Sequence, residues 1–171
     1  MLSSAVGVVD RDDRSPSVSP LVLERVEVKT SAVEAVVRVT QPRFMRTADF
    51  PGIAEEALRL LPGLTRHRCV CGTSHGLDRE LADTETPHML EHVALELMAL
   101  SGSSRELGGE TVWDFAGDGR GVFRVRVGYD DELVALGALE RGLRLVNALL
   151  VGSPVPDSER EVAELRTVRE G

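Results

Sequence analysis

Two short runs, Leu21-Val-Leu-Glu-Arg-Val-Glu-Val28 and Ala32-Val-Glu-Ala-Val-Val-Arg-Val39, are rich in β-branched residues and are separated by the turn-like Lys29-Thr-Ser31. Alternating apolar and polar positions around a short polar break predict two antiparallel strands. Helical spacing takes over between Pro51 and Leu61, where Ile53, Ala54, Ala57, Leu58 and Leu61 share a face, and Pro62-Gly63 ends the run. A second helix is predicted from Thr86 to Leu100, with Thr84 or Thr86 as its cap and Pro87 in its first turn. Glu110–Phe115 and Gly121–Val127 then flank Ala116-Gly-Asp-Gly119, a strong hairpin signal. From Asp130 to Leu150 the apolar positions Leu133, Leu136, Leu139, Leu143, Val146 and Leu150 describe a long amphipathic helix with acids at its amino end. Strands and helices are segregated along the chain, which predicts an α+β fold: a mostly antiparallel sheet of about four strands with three main helices on one face.

At 171 residues the chain is long enough for one domain with a core of its own. Residues 1–20, which end in Ser-Pro-Ser-Val-Ser-Pro, carry no apolar period and read as a flexible leader. The single domain is expected over 21–151, followed by a charged, Pro-broken tail over 152–171 in which Ser158 to Arg169 could form a weak helix. The net charge is −8 and Lys29 is the only lysine. That excludes a general binder of phosphate backbones, so no nucleic-acid partner is expected. No basic start with a signal-like apolar run and no long apolar stretch is present, and Cys69 and Cys71 are too few for a disulfide framework. A cytoplasmic protein with no membrane partner is the expectation. Phosphate-loop and dinucleotide-binding glycine motifs are absent, which argues against ATP-driven or nicotinamide chemistry within this chain.

The chemistry concentrates on the helix from Thr86 to Leu100. At about 100° per residue, His88, His92 and Glu96 fall within roughly 80° of one another, and Glu91 sits just to the other side. Almost every other position from Met89 onward is apolar, so four ionisable groups line up along a helix that is otherwise wrapped in core. Burying such groups costs several kcal/mol unless they are paired or bound to something. His88-x-x-Glu91-His92 has the spacing of the inverzincin helix, in which histidines one turn apart hold zinc and the intervening glutamate acts as base. The alternative is a histidine pair hydrogen-bonded inside the core. A third ligand would come from elsewhere, with Glu96 and Glu132 as candidates.

A second group, His67, Cys69, Cys71 and His75, could be a structural zinc site, but its spacing fits no familiar finger pattern, and two small buried thiols are the simpler reading. His67 is also a candidate to line the pocket of the central helix. Arg124 and Arg126 lie on one strand face, as a solvated edge or an anion site. Asp130-Asp131-Glu132 is an acidic helix start that complements the macrodipole.

Leu60-Leu61-Pro62-Gly63-Leu64-x-x-His67-x-Cys69, followed by His88-x-x-Glu91-His92-Val-Ala-Leu-Glu96-Leu97 and Ser101-Gly102, resembles the amino-terminal domain of cyanophycin synthetase. The similarity runs from about Asp49 to Leu150 and includes the Tyr129-x-x-Glu132 entry to the last helix. The larger synthetases continue with an ATP-grasp module and a ligase-like module, so the chain resembles a stand-alone version of their first domain. The resemblance implies engagement of a polymer with an aspartate backbone carrying arginine. In some members it implies a metallopeptidase that cuts that polymer. On this basis His88 and His92 are zinc ligands, Glu91 the general base, Glu132 the third ligand and Glu96 a group that orients a histidine. The expectation is a metal-dependent hydrolase of a peptide or isopeptide bond. The alternative is a non-catalytic module that binds the polymer or assembles with a separate ligase, and homo-oligomerisation is compatible with either.

Overall fold

A computed structural model of the chain describes residues 18–67 and 77–171, the side chains of 77–79 excepted. Period-2 patterning yields β1 (Leu21–Val28), β2 (Ala32–Val39), β3 (Gly109–Val112) and β4 (Val122–Gly128), joined as one sheet in the order β1-β2-β4-β3 with every pairing antiparallel. Val33, Ala35, Val37, Phe123, Val125 and Val127 form the buried face, while Glu34, Arg38, Arg124 and Arg126 point to the open one. The helices are α1 (Ile53–Leu60), α2 (Leu77–Ala82), α3 (Thr86–Leu100), α4 (Glu132–Val151) and α5 (Ser158–Glu170). The fold is α+β.

Apart from its last two residues, α3 is buried along its whole length, from Thr86 to Met98. It packs against β3 and β4 and against α4, where Gly142 allows a close approach. A Cβ at Gly142 would lie 3.1 Å from Leu90 Cδ1. The cap is Glu85, whose side chain makes no capping bond. The two threonines expected there serve tertiary contacts instead: Thr86 Oγ1 donates to Phe44 O at 2.7 Å, and Thr84 Oγ1 lies 2.7 Å from His88 Nδ1.

The structure departs from expectation at three places. The charged stretch expected to be a tail contains α5, whose Val162 and Leu165 are buried. Arg141 and Arg144 on α4 pair with its Glu161 at 3.0 Å each. Few apolar anchors on a polar helix leave little periodic signal, and packing on α4 supplies the rest. The hairpin strand ends at Val112 rather than Phe115, because Trp113 and Phe115 turn to pack on Phe123, with ring centroids 5.7 and 5.5 Å away. The last residues of the expected leader are also tied to the sheet: Thr40 N donates to Pro20 O and Thr40 Oγ1 to Ser19 O, both at 2.9 Å. The rest of the predicted leader, and Cys69, Cys71 and His75, lie outside the described residues. Among the described residues no helix is long and apolar enough to cross a membrane.

Candidate metal centre

Residues one helical turn apart stack on one side of a helix, and α3 uses that spacing to bring two imidazoles together. His88 and His92 are 4% and 0% exposed, with their Nε2 atoms 3.0 Å apart. Two imidazole nitrogens on one tetrahedral zinc are separated by about 3.3 Å, given a bond of about 2 Å, so the pair is close to a ligating spacing. Thr84 Oγ1, at 2.7 Å, can accept from His88 Nδ1–H, which leaves the Nε2 lone pair for a metal. Both rings are held neutral. Burial, with His88 and His67 nearby, drives His92 down to about 3. Burial also lowers His88, against the opposing charges of Glu80 and Glu85.

Glu91 completes the group. Its carboxylate and the two imidazoles offer ligand atoms that all lie within 4.8 Å of one another. Thr111 Oγ1 donates to Glu91 Oε2 at 2.5 Å, while Oε1 is buried without a hydrogen-bond partner. The carboxylate fits because residue 109 has no side chain: a Cβ at Gly109 would lie 2.5 Å from Glu91 Oε1. Burial pushes the Glu91 carboxyl up to about 7, against the Thr111 hydrogen bond. A buried acid with an unpartnered oxygen, beside two neutral imidazoles, is a donor set that fits a divalent cation.

The stripe divides in two at this point. Glu96, 1% exposed, lies outside that group and is bound to other partners. It meets His67 Nε2 at 2.6 Å, Arg105 Nη1 at 2.8 Å and Arg105 Nη2 at 3.4 Å. Burial pushes its carboxyl up, but the hydrogen bonds from His67 and Arg105 and the charge of Arg105 outweigh that and hold it below the ordinary carboxylate range. Glu96 is thus an anchor that ties the turn at Pro62–Arg66 to α3, and the histidine it positions is His67. Glu132 stands exposed in the first turn of α4, outside the group formed by His88, Glu91 and His92.

Several members of the site carry no signal in the sequence pattern: Thr84, Thr111 and Arg105 as hydrogen-bond partners, and Gly63 and Gly109 as spaces. A Cβ at Gly63 would come within 2.0 Å of Glu96 Oε1. Those glycines stand beside turns, where glycine is expected anyway, and nothing local reveals that each also makes room for a carboxylate.

Comparison with known proteins gives two matches. Residues 34–151 match the model of the cyanophycin synthase-like N-terminal domain. The chain is also 32% identical over 126 residues to a cyanophycin synthetase of Synechocystis sp., a match covering 68% of this chain and 13% of that protein.

Proposed function

The chain belongs to the family of cyanophycin synthase-like N-terminal domains, and from that premise we propose that it is a metal-dependent hydrolase of a peptide or isopeptide bond in an Asp/Arg polymer of the cyanophycin kind. The observation that carries this reading is the convergence of His88, His92 and Glu91 within 4.8 Å, with Glu91 Oε1 unpartnered. His88 and His92 would hold the ion, zinc by preference, and a bound ion would supply Lewis acidity toward the scissile carbonyl. Glu91 moves the proton. Its unpartnered Oε1 is placed to accept a proton from the attacking water and return it to the departing amine as the C–N bond breaks. Thr111 holds the other oxygen in place.

The burial of all three groups, each 4% exposed or less, favours a second reading, a non-catalytic module that binds the polymer or works with a separate ligase. Incubation of the zinc-loaded protein with the polymer, followed by mass spectrometry, separates the two. The hydrolase reading predicts shorter chains with wild type and at least about a hundredfold slower cleavage with Glu91→Gln. Polymer retained on the protein and never cut supports the binding module, and equal cleavage by both proteins removes Glu91 from the reaction.

A further inference from the structure

The two ends of the outer edge of β1 differ. At its start, Asn147 of α4 closes the edge: Leu21 N donates to Asn147 Oδ1 at 2.8 Å, and Asn147 Nδ2 donates to Leu21 O at 2.9 Å. Tyr129, just before α4, donates to Lys29 O at 2.7 Å, so α4 lies alongside β1 and runs opposite to it. Beyond the bulge between Leu23 and Arg25 the edge has no strand neighbour among the described residues. Val26 and Val28 pair with Ala35 and Val33, both 0% exposed, which puts them on the helix-covered side of the sheet. They are nevertheless 38% and 46% exposed, and Leu133 in the first turn of α4 is 58% exposed. On the open side, Arg25 and Glu27 lie opposite Val36 and Glu34 and pair with each other at 3.1 Å.

An open edge with apolar side chains on one side and alternating charges on the other is a template for strand addition. We propose that it is the interface for a second copy of this chain, joined antiparallel about a two-fold axis at Val26. The charge order favours this occupant. Centring on Val26 sets Val26 against itself, Arg25 opposite the partner's Glu27 and Glu27 opposite the partner's Arg25, so both of these charges meet their opposites, as an isologous contact requires, while Glu24 stays paired with Arg38 of its own chain. Val28 and Leu133 flank the same seam, where a second copy would cover them.

Sedimentation velocity of the full chain tests this. Wild type forms a dimer, and R25E and E27R each weaken it by about tenfold or more, because each places like charges opposite one another twice. Both side chains are exposed and their mutual pair is a surface one, so the variants keep the wild-type circular-dichroism spectrum. Mixing the R25E and E27R chains restores the dimer, because two acids on one chain then face two arginines on the other. A monomer at every concentration, a dimer indifferent to both single reversals, or a mixture that stays monomeric would each overturn the proposal.

Discussion

Replacing Glu91 with glutamine stabilises the metal-free protein by about 3 kcal/mol at pH 8 and leaves it unchanged at pH 4.5 and below. The carboxyl rises from 4.5 to about 7 because burial disfavours its charged form, and that rise corresponds to about 3 kcal/mol. A folded-state value raised above the unfolded one gives stability that is fully present at low pH and is lost as pH climbs through about 7. Glutamine has the shape of the protonated acid and never ionises, so it escapes that loss. His92 has the opposite sign. Its lowered value contributes stability above 6.5 that is lost as pH falls toward about 3, but it is common to both proteins and cancels in the difference. Urea unfolding in EDTA at the two pH values measures the effect, and a variant no more stable than wild type at pH 8 would show that Glu91 is not buried as described. Zinc narrows the gap: at a hundredfold excess over its dissociation constant a ligand stabilises by about 2.7 kcal/mol, and the variant without the carboxylate forgoes part of that.

Alanine at Gly63 costs about 3 kcal/mol in wild type and little once Glu96 is also alanine. The added Cβ would sit 2.0 Å from Glu96 Oε1, and the carboxylate has nowhere to move without releasing His67 and Arg105. Breaking a buried charged contact costs about 3–5 kcal/mol, and the lower end applies because Arg105, 38% exposed, can return to water. In the Glu96→Ala background the clash disappears, so the two substitutions are strongly non-additive. Thermal or urea unfolding of the four proteins closes the cycle. Additive costs would mean that Gly63 is required by its own backbone rather than by Glu96.

Much of this molecule is legible in its patterning, for identifiable reasons. β1, β2 and α3 have their expected bounds because Val33, Ala35 and Val37 alternate against one buried face, and because α3 from Met89 onward is apolar wherever it is not ionisable. The polar stripe is visible for the same reason. Its division is not, because each half is decided by residues distant in the chain. Glu96 is claimed by His67, 29 positions earlier, and by Arg105, nine later, and Glu91 by Thr111, 20 later. Hydrophobic periodicity carries no record of which hydroxyl or guanidinium a fold will deliver to a carboxylate. The short helix α2 was hidden by its polar composition, whereas α5 was visible only as a weak helix because it has just Val162 and Leu165 to bury.

The claim on which the functional reading rests is that His88 and His92, with Glu91 beside them, hold a divalent ion. Calorimetric titration of zinc into the EDTA-stripped protein tests it most directly. One ion per chain should bind to wild type, and His92→Ala should abolish that binding while still melting cooperatively. A wild-type chain that takes up no zinc, or a His92→Ala chain that binds it as well as wild type, would contradict the account.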